Sequence, residues 1–253
     1  MNYLKQHLPI KKSPGEHYPQ ARSAIVVLKQ YHPHPYPSDD AIFQSANVAM
    51  YAQGEDYHIH FQKELNQLTE ELETLFPDEH FAAYSDSHPL MERDLAYKSG
   101  LGWFGKNSML IQQGHGSLFF IGEILTSVQL EPFKTVHPDR CGTCTRCIEA
   151  CPTDAIDGDN RTLKANHCIS HLTIEKKGPP TNVLADKMGD WFFGCDICQT
   201  VCPWNEKIFQ FSNNKKPNET AERSQLVDQL NKILRSSNKS LQKRFMNTPL
   251  SRP

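Results

Sequence analysis

No stretch of this 253-residue chain stays apolar for long. A membrane-spanning helix needs roughly 20 apolar residues, and the longest candidate, 118–130, is broken by Glu123 and by polar residues. The first residues, Met1-Asn-Tyr-Leu-Lys-Gln-His7, offer no apolar leader, so a secreted, disulfide-built protein is not expected. Charge of one sign is lacking too. A net charge of −2 carries no general polyanion signal. Neither a Walker loop nor a dinucleotide-binding glycine fingerprint is present. These absences lead us to expect a cytoplasmic monomer that does not meet membranes, with one large or two small domains.

Cysteine is missing from both ends and dense in the middle. The first run is Cys141-Gly-Thr-Cys144-Thr-Arg-Cys147-Ile-Glu-Ala-Cys151-Pro152, and the second is Cys195-Asp-Ile-Cys198-Gln-Thr-Val-Cys202-Pro203. A C-x2-C-x2-C-x3-C-P run gives three thiolates to one iron–sulfur cluster and its fourth to a neighbour. The second run has Phe192 where its first cysteine should be, and Cys168 is the available substitute. The expected ligand sets are Cys141, Cys144, Cys147 and Cys202 for one 4Fe–4S cluster, and Cys151, Cys168, Cys195 and Cys198 for the other. All eight cysteines are then used. Zinc ribbons use paired C-x2-C spacings without the third cysteine and the C-P that follow here.

Apolar spacing predicts a strand at 24–28, an amphipathic helix over 56–76, and a strand at 81–84. A helix opened by Pro89 and stopped by Gly100 should follow. A hairpin is expected to join 109–111 to 118–121 through a turn at 113–116. Residues 1–21 show no clear element, and three prolines keep 31–37 irregular; His32 and His34 there read as solvated loop residues rather than metal ligands. The expected fold is α+β. An α/β-layer domain (1–139) precedes a ferredoxin-like domain with two clusters (140–211). A polar tail (212–253) should hold one helix near 225–235.

Asp86 lies just past a strand and beside the glycine-rich segment Gly100-Leu-Gly-Trp-Phe-Gly-Lys106-Asn107. Strand ends and glycine loops are where α/β folds place ligands. Asp86 could equally cap the helix after Pro89.

Five blocks resemble the epoxyqueuosine reductase family. They are Tyr84-Ser-Asp86-Ser87-His-Pro89-Leu-Met-Glu92, Gly100 to Asn107, His115-Gly-Ser-Leu-Phe-Phe-Ile-Gly-Glu123, Cys168-Ile-Ser-His-Leu-Thr-Ile-Glu175-Lys-Lys-Gly178-Pro179, and Gly194-Cys-Asp-Ile-Cys-Gln-Thr-Val-Cys-Pro-Trp-Asn205. The resemblance implies a cobalamin-binding first domain and reduction of epoxyqueuosine to queuosine in tRNA, with electrons from two 4Fe–4S clusters. It places Asp86 on the family's proton donor near the cobalt, a role that would require burial to keep the acid protonated. It also puts Asn107, Leu110, Ile121, Ser170 and Asp196 on or near cobalamin contacts. The implied partners are a tRNA anticodon loop carrying epoxyqueuosine and a reduced donor protein such as flavodoxin or ferredoxin. Beside the family the chain is expected to be short at both ends.

The chain departs from the family at His88, where a small residue is usual, and at Ala49-Met50-Tyr51, where Ser-Arg-Tyr is frequent. Asp86-Ser-His88 also matches the start of the D-x-H-x-x-G signature of other cobalamin enzymes, but Met91 replaces its glycine. Two other functions fit parts of the pattern: a cobalamin-dependent reductase of a small molecule (reductive dehalogenase-like), and a bicluster ferredoxin that only carries electrons. Since net charge offers tRNA nothing, binding would fall to a local basic surface among Lys106, Arg140, Arg146, Lys176, Lys177, Lys239, Lys243 and Arg244.

Overall fold

The structure, a computed structural model, describes residues 2–31, 42–43, 46–86, 88–211 and 223–251. His32, His34 and Ser87 lie outside the described residues. Two compact units emerge. One comprises Met1–Tyr31, Tyr57–Phe104 and Met109–Arg140; the other comprises His32–Asp56, Gly105–Ser108 and Cys141–Pro253. The second unit thus takes in two segments, 32–56 and 105–108, that precede the cysteine-rich segment in sequence.

In the first unit, Phe119–Thr126 runs antiparallel between Ser23–Gln30 and Phe81–Tyr84. This central strand is buried from Gly122 to Thr126. The helix Tyr57–Leu75 turns Tyr57, Phe61 and Leu65 inward at four-residue steps. Gly122 lets the helix come close, since a Cβ there would stand 2.6 Å from Leu65 Cδ1 and 3.0 Å from Phe61 Cζ. The strand and the helix thus fall where their spacing put them.

Other elements differ from expectation. Residues 1–21 contain the helices Asn2–Lys12 and Pro14–His17. Pro9 lies inside the first and removes a backbone donor, which made the segment read as irregular. The helix after Pro89 starts only at Glu92 and runs to Lys98, ending before Gly100 at φ 73°. The turn at 113–116 forms, with Gln112 bridged to Gly116, but Leu110–Ile111 pairs with Trp103–Phe104, inside the glycine-rich segment, and not with 118–121. Gly102 permits that pairing, because a Cβ there would lie 2.2 Å from the carbonyl oxygen of Ile111. Residues 119–126 are taken by the sheet instead.

In the second unit, Asn47–Val48 pairs in parallel with Trp191–Phe193. Ile42, Phe43, Ala46, Val48 and Ala52 form a core with Leu226 and Phe245. The carboxy-terminal segment is therefore part of this core, and its described residues form two helices, Arg223–Leu234 and Asn238–Arg244. Short helices Arg146–Ala150, Ile169–Ile174 and Ile197–Thr200 follow cysteines Cys144, Cys168 and Cys195.

Candidate functional site

Asp86 sits on the turn that leaves Phe81–Tyr84, in the left-handed region at φ 51°. Only a minority of non-glycine residues occupy that region, aspartate among the most frequent. The Tyr57 hydroxyl donates a very short hydrogen bond to Oδ2, and His58 Nε2 lies 3.2 Å from the same oxygen. Tyr57 is fixed in turn by stacking on Phe120, with centroids 4.2 Å apart and planes 8° apart. The next helix begins at Glu92 behind Met91, so Asp86 is not its cap. Nor is Asp86 buried by its own unit: its side chain is 54% exposed. The burial we expected belongs to two other acids.

Glu123 is fully buried on the central strand, level with Tyr84 across the ladder, and neither carboxyl oxygen has a hydrogen-bond partner. Burial pushes its pKa up to about 9, reinforced by the carboxyls of Glu92 and then Asp86. Glu92 is raised to about 7, first by burial and then by Asp86. The Asp86 backbone N–H, Lys11 and Arg93 oppose that rise. The Ser85 hydroxyl, one residue before Asp86, is also buried without a partner. Tyr57, His58, Glu92 and Glu123 were not singled out as site residues. The available signal was Glu123, a carboxylate breaking an otherwise apolar strand.

Neighbouring thiols raise one another. Cys202 is pushed up to about 11 by burial and by Cys141, Cys147 and Cys144. Cys195 is pushed up to about 12 by burial, with Asp196, Cys168 and Cys151 adding to it. Cys198 is raised by burial and by Cys195, Asp196 and Cys168, with Cys147 of the other set as a weaker neighbour. Backbone N–H groups of Ile148, Ile197 and Trp204 point at the sulfurs of Cys147, Cys195 and Cys202. That of Ala155 lies 3.4 Å from Cys151 Sγ. Such N–H···S contacts favour thiolates and tune cluster potentials. Among the described residues no three His, Cys, Asp or Glu side chains converge as ligands of one ion. A cubane, larger than an ion, holds its thiolates farther apart than zinc does.

The positions matched to cobalamin contacts divide between the units. Leu110 and Ile121 lie with Asp86 in the first, and Asn107, Ser170 and Asp196 lie in the second. Leu110 is buried, whereas Ile121 and Ser170 are half-buried. Asn107 Nδ2 donates to the Cys198 carbonyl at 3.3 Å. Asp196 accepts from the Met50 N–H at 2.6 Å and from Gln199 Nε2 at 3.2 Å. Of the basic candidates, Lys106 is bound to the carbonyls of Gly142 (2.8 Å) and Cys144 (3.1 Å), clamping the first cysteine loop. Arg146 pairs with Glu206, and Lys176 bonds the carbonyls of Gly178 and Pro179. Arg244 lies over the Phe245 ring. Arg140, Lys177, Lys239 and Lys243 are exposed. No helix among the described residues is long and apolar enough to cross a membrane.

Comparison with known proteins places these features in context. A family profile described as "4Fe-4S double cluster binding domain" matches residues 140–205. Another, "Epoxyqueuosine reductase QueG, DUF1730", matches residues 11–87. The chain is 40% identical to an epoxyqueuosine reductase of Cyclobacterium marinum, over 81% of this chain and 65% of that protein. It is 42% identical to one from Synechocystis, over 80% of this chain and 69% of that protein. It thus spans about two thirds of the length of these relatives. Two solved structures, each 26% identical, superpose at TM-scores of 0.74 over 98% of this chain and 70% of theirs. One is an epoxyqueuosine reductase with an epoxyqueuosine-modified tRNA-Tyr stem loop. The other is the Bacillus subtilis enzyme with its catalytic aspartate loop swung out of the active site.

Proposed function

The chain belongs to the epoxyqueuosine reductase family, and we propose that it reduces epoxyqueuosine to queuosine in tRNA. The observation that carries this reading is Asp86, an exposed acid held by Tyr57 and His58, in a chain that also carries eight cysteines in iron–sulfur spacing. An electron carrier has no use for such an acid.

The donor sets fit two 4Fe–4S clusters: four thiols each, with backbone N–H groups aimed at the sulfurs. The Tyr57 ring that holds the Asp86 carboxyl stacks on Phe120, giving the first unit an apolar surface beside the acid. Such a surface fits cobalamin, which Asp86, Leu110 and Ile121 of this unit would contact. Cobalamin supplies a reducible cobalt centre for the carbon–oxygen chemistry, and the clusters supply single electrons. The chain's own residues move the proton. Tyr57 and His58 orient Asp86, whose carboxylic acid protonates the oxygen released when the epoxide opens. A tRNA anticodon loop is the macromolecular partner, met by exposed cations such as Lys177, and a reduced flavodoxin or ferredoxin the electron source.

Anaerobic protein with cobalamin added tests this reading. It should hold about eight iron per chain and show a cobalamin spectrum over the cluster absorbance. Asp86→Asn should keep both spectra and lose roughly 100-fold or more in turnover. Clusters without cobalamin binding would favour the electron carrier. Reduction of a small epoxide or halide but not of tRNA would favour the small-molecule reductase.

A further inference from the structure

Three consecutive side chains, Lys106, Asn107 and Ser108, each donate to backbone carbonyls of the cysteine-rich half of the second unit. Lys106 Nζ reaches the carbonyl oxygens of Gly142 at 2.8 Å and Cys144 at 3.1 Å. Asn107 Nδ2 reaches that of Cys198 at 3.3 Å, and Ser108 Oγ that of Arg161 at 2.9 Å. The neutral donors Asn107 and Ser108 suffice to fasten a loop. Lys106 brings a charge as well, and a charge acts beyond the atoms it touches.

The placement of that charge is specific. Gly142 and Cys144 lie in the turn closed by the Cys144 N–H on the Cys141 carbonyl at 3.0 Å, with Gly142 in the left-handed region at φ 50°. Cys141 and Cys144 are the first two thiols of one expected ligand set. The carbonyl and N–H of a planar trans peptide point in opposite directions. By holding the two carbonyls, Lys106 therefore turns the N–H groups of Thr143 and Thr145 away from itself. Its partners among the described residues are carbonyls, not carboxylates. The other cation of this loop, Arg146, is instead paired with Glu206 at 2.8 Å. Lys106 is also half-buried, so water screens it less than it screens the exposed Arg146.

We propose that Lys106 raises the reduction potential of the cluster held by Cys141, Cys144, Cys147 and Cys202. The inference rests on the reading that these thiols hold a 4Fe–4S cluster. Reduction adds one electron from the reduced donor and makes or breaks no bond, so the gain in negative charge is favoured by a fixed cation beside the loop. Lys106 acts through the backbone it holds and through its charge, and is a positioning residue. Its ammonium is thereby committed to the cysteine loop rather than to a phosphate of tRNA.

An anaerobic reductive titration of the whole chain, followed by electron paramagnetic resonance, tests this. Lys106→Gln should keep the iron content and shift one reduction equilibrium roughly tenfold against the reduced form. For a one-electron couple that is about 59 mV. The second midpoint should stay in place, and Lys106→Arg, which keeps the charge, should keep both. Nε-acetyl-lysine at position 106, uncharged on the same stem, should reproduce the shift and decides the matter if Lys106→Gln loses iron. Unmoved midpoints in a cluster-loaded neutral variant overturn the proposal. An equal fall in Lys106→Arg, or loss of iron from both neutral variants, overturns it too, leaving a clamp without an electrostatic role. A wild type that binds no iron would instead overturn the cluster reading, and this inference with it.

Discussion

Asp86, Glu92 and Glu123 influence one another's ionisation, and each is treated differently by its surroundings. Asp86 is exposed and held from outside by Tyr57 and His58; Glu123 is sealed in with no partner. That contrast has a pH consequence. Glu123 is raised from 4.5 to about 9 on folding, so the folded state binds its proton more tightly than the unfolded chain. Its stabilising share is complete below about pH 4.5 and is lost as pH rises toward about 9. Glu123→Gln stays neutral throughout. Thermal unfolding should therefore show the wild type losing stability, relative to this variant, by on the order of a few kcal/mol between pH 5 and 9. Parallel curves would mean that Glu123 ionises freely. The sequence made Asp86 visible through its strand-end position and its resemblance block. It did not show which acid is buried, because burial depends on the ladder between Tyr84 and Glu123.

At the scale of elements, strong periodicity was reliable and short apolar runs were not. The helix Tyr57–Leu75 was legible from Phe61, Leu65, Leu68, Leu72 and Leu75. Leu110–Ile111 was legible as a strand but not its partner, since two residues carry no register information. Polar composition concealed the role of 223–251: Leu226 and Phe245 close a core whose other half lies some 180 residues earlier, at Ile42 and Phe43. Close approach of helix and sheet depends on Gly122. Gly122→Ala would press a methyl against Leu65 and Phe61, and overpacking of this kind costs about 1–3 kcal/mol. Chemical denaturation should show that loss with the cluster spectrum retained; an unchanged midpoint would mean that the helix moves away at no cost.

Across the whole molecule, the cysteine runs point to two ligand sets; Cys141, Cys147 and Cys144 act on Cys202, and Cys168 and Cys151 act on Cys195. The division into units was less legible, because His32–Asp56 and Gly105–Ser108 leave the first linear segment to join the second unit. Linear order could not show this, since the partners of Asn47–Val48 and Asn107 are some 90 to 145 residues away, at Trp191–Phe193 and Cys198. The family relationship covers about two thirds of the relatives' length, which makes the activity of this chain itself the central question. The direct measurement is nucleoside mass analysis of epoxyqueuosine-bearing tRNA after anaerobic incubation with cluster-loaded protein, cobalamin and a chemical reductant. The account predicts conversion of epoxyqueuosine to queuosine, with loss of one oxygen, in the presence of wild-type protein and not of Asp86→Asn. Epoxyqueuosine left intact by wild-type protein with full clusters and bound cobalamin would contradict it.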